Sequence, residues 1–428
     1  MNNKNIYLGN AKINYNSVKV EGRFVELENE KFYKISNSNQ MPDFFMTIVS
    51  SCDHWMFISS NGSLSAGRKD SNNALFPYYT VDKIYDAKGI TGSKTYLLVG
   101  MDEKTYLWEP FSTESEKIYT IERNLYKNIY GNKIIFEEIN ADLGVGFRYG
   151  WFSSEKFGFV KKSVVRNLNA VSVNVDVLDG IRNILPNDVD SDFQNTFSCL
   201  LDAYKKCELI EETRLGLYML SSIPVDRAEP SESLKATTVW SCGPDQPAKV
   251  LLSDRQVEPF KQGQAVDTET DIRAVRGAYY VNAGFKLQPN AQKEWMIIAE
   301  INQESGDVAN LSHAIKTRNN IKQLVEADIE KGTSNLKQIV SKADGMQMGH
   351  DELSCARHFS NTLFSIMRGG IFTSNYTLDK TDFILFVGQI NKDISAKHKA
   401  WLDQLPVTID YPEPVSYTHL TLPTNREV

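Results

Sequence analysis

Several things are scarce in this chain of 428 residues, and each scarcity removes a class of function. Five cysteines (Cys52, Cys199, Cys207, Cys242 and Cys355) make an odd number at wide spacings. Neither a disulfide framework nor a CxxC zinc knuckle can be drawn from them, and reduced thiols in a cytosol fit best. The six histidines include no HExxH or other paired ligand spacing, so no bound metal is indicated. There is no basic excess: 47 Lys and Arg stand against 54 Asp and Glu, a formal charge of -7. Such a surface does not neutralise a phosphate backbone or an anionic lipid surface, so neither nucleic acid nor membrane is an expected partner. No run approaches 18 apolar residues, and the start MNNKNIYLGNAKINYN has no signal-peptide core. The expected compartment is therefore the cytoplasm.

The composition that is present, 41% hydrophobic, 24% charged and 11% aromatic, suits globular domains with sizeable cores. Up to about residue 185 the chain consists of short period-2 segments separated by Gly, Asn, Asp and Ser. The clearest is Val171, Val173, Val175 and Val177 with polar residues between, which places every valine on one face of a strand. Phe44–Val49, Trp55–Ser59, Tyr96–Val99, Lys133–Glu138 and Phe157–Lys161 read the same way. Many antiparallel strands at this spacing predict a sandwich or barrel.

The spacing of Phe193, Phe197, Leu200, Leu201 and Tyr204 predicts an amphipathic helix inside Asn187–Leu209. Strand patterns return at Leu215–Ser221, Thr237–Ser241, Ala278–Leu287 and Trp295–Ile301, with an exposed polar loop, Pro224–Ser233, among them. From about residue 305 the chain is helix-prone: Asp307–Glu330, Ser334–Ala343, Asp351–Met367 ended by Gly369 and Gly370, and Ile394–Leu405 ended by Pro406, with an apolar run at Phe383–Val387. The expected fold is mainly β with a helical C-terminal part. The expected boundaries are a β-domain over 1–303, a helical linker over 304–345 and the start of a further helical domain over 346–414.

Polar and aromatic groups are densest in Ser50–Ile84, which holds Asp53, His54, Trp55, Arg68, Lys69, Tyr78 and Tyr79. A pyranose offers apolar C–H faces and many hydroxyls, so aromatic faces with polar groups beside them are what a carbohydrate site requires. These seven are the candidate carbohydrate-binding residues, although Trp and Tyr in a sandwich also serve as core with a satisfied polar tip. Asp53 and His54 are neighbours on an expected strand and face opposite sides, which argues for structural roles over a catalytic dyad. GxSxG, GxGxxG and GxxxxGK[ST] are all missing. Cys355, Arg357 and His358 lie close on an expected helix, a spacing that core packing also explains. No catalytic carboxylate pair can be picked by spacing, because the two groups come from distant points of a chain.

Three segments, Asp43–Ile84, Gly144–Val177 and Ala356–Gly370, resemble the N-terminal part of large cellobiose phosphorylase-like proteins. The resemblance implies an antiparallel β-supersandwich, a helical linker, an (α/α) catalytic barrel and a small C-terminal β-domain. It also implies inverting phosphorolysis of β-linked gluco-oligosaccharides, with inorganic phosphate as co-substrate, no cofactor, and a homodimer of the full-length protein. Phosphate attacks the anomeric carbon while a carboxylic acid on the barrel protonates the leaving oxygen. No catalytic residue of that family transfers onto these 428 positions. A non-catalytic carbohydrate-binding sandwich and the N-terminal part of an inverting glycoside hydrolase are the alternatives. The last fourteen residues, Val415–Val428, resemble the translated sequencing adapter that ends many metagenomic reading frames, which makes the expected native part a fragment of 414 residues.

Overall fold

The structure is a computed structural model. It describes residues 5–13, 18–101, 103–197, 199–222, 235–243, 248–368 and 377–410. The Pro224–Ser233 loop, the Gly369–Gly370 helix end and the adapter-like tail lie outside these residues. The chain divides into two compact units, Met1–Thr333 and Ser334–Val428.

The first unit is built from antiparallel sheets. Eleven strands form a large sheet in the order Asp271–Arg273, Lys205–Ile210, Leu215–Leu220, Lys235–Cys242, Gln292–Glu304, Gly158–Asn167, Val145–Ser154, Ile134–Asn140, Ile121–Asn128, Glu30–Ser36, Glu21–Leu27. Five strands form a small sheet in the order Lys104–Trp108, Gly92–Met101, Val173–Ile184, Gly277–Leu287, Lys249–Leu251. A four-stranded sheet follows chain order: Phe45–Ile48, His54–Ser59, Leu64–Arg68, Ala74–Phe76. One core joins all three: Val175, Val177 and Val281 of the small sheet and Met56, Ile58 and Leu64 of the four-stranded sheet share it with Phe147, Trp151 and Phe159 of the large one. The alternation around Val173 is therefore a core face, as expected, although Val171 precedes the strand and is exposed.

Two charged residues sit inside this core. Lys161 of the large sheet and Asp179 of the small sheet are fully buried, with Nζ 2.5 Å from Oδ1. Thr95 Oγ1 also donates to Oδ1 at 2.6 Å, while Ser163 Oγ and Trp295 Nε1 each donate to Oδ2 at 2.8 Å. Four donors fill the four acceptor positions of an ionised carboxylate. Lys161 also donates to the Gly180 carbonyl at 3.0 Å and lies 5.5 Å from the Tyr149 ring centroid. A second bridge between these sheets runs from Glu138, which accepts from Trp108 Nε1 at 2.9 Å, Arg123 Nε at 2.5 Å and the Phe111 amide at 2.8 Å.

The helix expected across Asn187–Leu209 is shorter than its pattern. Two short helices, Ser191–Phe197 and Cys199–Asp202, carry Phe193, Phe197 and Leu201 onto one apolar cluster with Leu185 and Val189, while Leu200 is exposed. From Lys205 the chain is a strand, because Cys207 and Leu209 alternate with the half-buried Lys206 and Glu208 and pair with Leu215–Leu220. The stripe itself ends at Tyr204, and the expected helical span to Leu209 overran it into residues whose apolar spacing is that of a strand. After Ser305–Thr317, the helix Ile321–Lys342 begins on the outer face of the large sheet, where Ile321, Val325 and Ile329 pack on Val160, Trp240 and Ile298. The break between the helices lies at Arg318–Asn320, not near residue 332 as the pattern suggested.

The second unit has an apolar cluster of its own. Its helix Glu352–Met367 is capped by Asp351, whose carboxylate accepts from the amides of Leu353 and Ser354. Helix Lys380–Ile390 takes up the Phe383–Val387 run, and the expected Ile394–Leu405 helix is two short ones, Lys392–Lys397 and Lys399–Gln404. Phe383, Val387, Leu402, Leu405 and Ile409 form its apolar cluster. No helix among the described residues is long and apolar enough to cross a membrane.

The buried pair makes a direct prediction for stability. Lys161→Met leaves a buried carboxylate without its cation and lowers the unfolding free energy by about 3–5 kcal/mol in urea titration. Adding Asp179→Asn to it restores part of that loss, so the double variant falls short of the sum of the single losses.

Candidate functional site

The candidate residues of Ser50–Ile84 separate onto the two faces of the four-stranded sheet. Strand His54–Ser59 alternates buried His54, Met56 and Ile58 with half-buried Trp55 and Phe57. On the outer face Trp55 and Phe57 stand 5.7 Å apart between ring centroids. Tyr78 meets Trp55 edge-on at 5.7 Å, and Phe45 stacks on Phe57 at 5.6 Å. Four rings thus form one continuous shelf; Tyr78 is 40% exposed, while half-buried Trp55 also packs against the cluster of Leu185, Val189 and Leu201. Gly67, opposite Trp55 in the strand register, makes the shelf flat: a Cβ there would lie 2.5 Å from the indole Cζ2. Trp55 Nε1 donates to the Asp70 carbonyl at 2.9 Å, which fixes the ring plane from the turn carrying Asp70 and Asn73.

Asp53, His54 and Arg68 do not join the shelf. Arg68 Nε donates to Asp53 at 2.8 Å and Nη1 to Glu300 at 2.5 Å, with the Glu155 carbonyl at 3.3 Å from both terminal nitrogens. Glu300 belongs to the large sheet, so Arg68 fastens the four-stranded sheet to it. Lys69 is exposed in a left-handed conformation (φ 65°), and its amide donates to the Asp53 carbonyl at 2.7 Å. Tyr79 is half-buried, and its amide donates to Ser65 Oγ at 3.0 Å. His54 is buried edge-on to Phe159 at 4.8 Å, with Nδ1 3.0 Å from Cys52 Sγ and no hydrogen-bond partner at Nε2.

Cys52, Asp53 and His54 place one ligand atom each within 4.8 Å of one another. Their charge is already answered: Arg68 holds Asp53, and burial pushes the Cys52 thiol above its usual range, keeping it protonated. A cation there would compete with the guanidinium. Burial outweighs the Arg68 charge at Glu300 and raises its carboxyl to about 7. Burial, followed by the repulsion of Arg68, lowers His54 to about 3. Glu300 was invisible in sequence as a site residue, since nothing in the spacing links position 68 to position 300. The alternation that makes Trp55 face outward would have found Phe57.

No family model matches the chain, and no curated protein matches it. Among solved structures it is similar to a bacterial glucoamylase complexed with acarbose, at TM-score 0.41 and 10% identity over 92% of this chain and 56% of that one. A putative kojibiose phosphorylase from the human microbiome is similar at TM-score 0.34 and 7% identity, over 67% and 32% of the two chains. A polysaccharide lyase gives TM-score 0.35 and 11% identity, over 64% and 34%. The chain thus spans about half the length of the first and a third of the others.

Two opposed titrations follow from the buried pair of groups. Between pH 4.5 and 6.5 folded Glu300 keeps a proton that the unfolded chain has lost, so its contribution falls as pH rises toward 7. Over the same window His54 stays neutral when folded while the unfolded imidazole is protonated, so its contribution rises with pH and is lost as pH falls below 6.5. The two slopes, each about 1.4 kcal/mol per pH unit, nearly cancel. In denaturant titrations Glu300→Gln should therefore gain stability with rising pH across this window relative to the parent, and His54→Gln should lose it.

Proposed function

We propose that the sandwich unit binds oligosaccharide on the Phe45–Phe57–Trp55–Tyr78 shelf, as part of a carbohydrate-active enzyme. The observation that carries this reading is the shelf itself: four rings in contact on the outer face of a sheet, flattened by Gly67 and bordered by the polar Lys69–Asn73 turn. Sugar C–H faces stack on such rings, and turn carbonyls, carboxylates and amides meet the hydroxyls at the edge. A row of rings suits a chain of sugars better than a single one.

The finer reading rests on the resemblance of Asp43–Ile84, Gly144–Val177 and Ala356–Gly370 to cellobiose phosphorylase-like proteins. On that reading the whole protein performs inverting phosphorolysis of β-linked gluco-oligosaccharides with inorganic phosphate, in the cytoplasm and as a homodimer. The shelf holds substrate, and the acid that protonates the leaving oxygen belongs to a helical barrel. The sandwich unit itself supplies no catalytic residue.

Calorimetric titration with cello- and laminari-oligosaccharides checks both parts. Weak, saturable binding is expected that Trp55→Ala abolishes, Tyr78→Ala weakens, and His54→Gln on the opposite face leaves unchanged. Absence of binding, or binding indifferent to Trp55, overturns the shelf assignment. No phosphate consumption, sugar 1-phosphate formation or hydrolysis is expected from the purified chain with phosphate present or absent. Turnover would place catalytic groups within it.

A further inference from the structure

At the other end of the His54–Arg68 hairpin from Trp55, about 17 Å along the strand, a polar cavity of about 230 Å³ opens beside the Asn61–Gly62 turn. Its walls come from both sheets: Lys94 and Thr95 from the small one, Tyr149 from the large one, and Glu109 and Phe111 from the loop after Lys104–Trp108. We propose that this cavity is a second, independent site, for a single neutral polyhydroxylated ring of monosaccharide size.

The base of the cavity is held in place by the core. Thr95 Oγ1 donates to Asp179, and the Tyr149 ring lies under the Lys161 ammonium, so both residues belong to the buried charge network. Phe111 is fixed in a left-handed conformation (φ 64°) by its amide on Glu138 and by edge-on contact with Tyr149 at 5.3 Å. Such a strained, over-determined residue keeps its ring in place without ligand. Gly62 (φ +90°) leaves the space open, since a Cβ there would come within 2.8 Å of the Tyr149 hydroxyl.

The chemistry of the walls selects the occupant. Lys94 and Glu109 are ion-paired to each other on the wall, with Lys94 over the Tyr96 ring. An ammonium and a carboxylate side by side offer one donor and one acceptor, which vicinal hydroxyls satisfy together because each hydroxyl both donates and accepts. Lys88 adds a second ammonium to the lining, its basicity lowered by burial. An anion would lie against Glu109, whose charge already answers Lys94, with only Lys88 left to hold it; a cation would face both lysines, and an apolar molecule would bury the ion pair without compensation. The shelf plays no part in the assignment.

The test is NMR titration of the full chain with D-glucose, D-galactose and D-mannose, with inorganic phosphate as the anionic probe. At least one hexose should produce saturable millimolar shifts. Tyr149→Phe, which removes one hydroxyl, should weaken it by about three- to tenfold, Lys94→Met should weaken it further, and Trp55→Ala should leave it unchanged. Circular dichroism checks that each variant is folded, and Lys94→Met alone decides if Tyr149→Phe is not. The assignment is overturned if no hexose binds, if phosphate binds more tightly than every hexose, or if binding survives Lys94→Met undiminished. Loss of hexose binding in Trp55→Ala alone would instead move the site to the shelf.

Discussion

The Lys161–Asp179 pair is the constraint from which the rest of the sandwich follows. Two opposite charges with no exposure to solvent can lie between the sheets only if every donor and acceptor around them is answered. Thr95, Ser163 and Trp295 supply those answers from three different strands, and each must be in one register for its atom to reach Asp179. A one-residue slip of Gly158–Asn167 would turn Lys161 to the outer face and leave the carboxylate bare. The pair therefore ties the large sheet to the small one at a defined offset. The Arg123–Glu138–Trp108 bridge repeats the device further along, and Arg68–Glu300 extends it to the four-stranded sheet.

This placement of charge inside the sandwich shapes what its surface can do. Because His54, Met56 and Ile58 are committed inward, their neighbours Trp55 and Phe57 must face out. The same alternation gathers Phe45 beside them, and the chain after Ala74–Phe76 brings Tyr78 to the row. Arg68 and Asp53, polar residues that would suit a binding surface, are instead committed to joining sheets. The aromatic row is left with the Lys69–Asn73 turn as its polar edge.

Much of the fold was legible because strand alternation is a local signal. Val173, Val175 and Val177 needed only their own spacing, and the change from strands to helices near residue 305 needed only composition. The Asn187–Leu209 helix was half legible: Phe193, Phe197 and Leu201 show the helical period, but Cys207 and Leu209 belong to a period-2 strand whose partner, Leu215–Leu220, decides its conformation. Of the candidate site, Trp55 and Tyr78 were legible as aromatic residues near polar turns, but Asp53 and His54, expected on opposite faces of a strand, bring their ligand atoms within 4.8 Å of each other, because Asp53 precedes the strand that starts at His54. Phe45 and Phe57 look in sequence like ordinary strand residues. Glu300, Glu138 and Asp179 could not be found in advance, because a buried ion pair between residues far apart in sequence leaves no mark on either one's neighbours.

Oligosaccharide lying across the outer face of the four-stranded sheet is the central claim, and a crystal structure of the chain soaked with cellotetraose tests it most directly. Sugar rings are predicted to stack in a row over Trp55 and Tyr78, with hydroxyls on the Lys69–Asn73 turn. A shelf left bare while the oligosaccharide occupies another face, or the whole crystal free of sugar at saturating concentration, would contradict it.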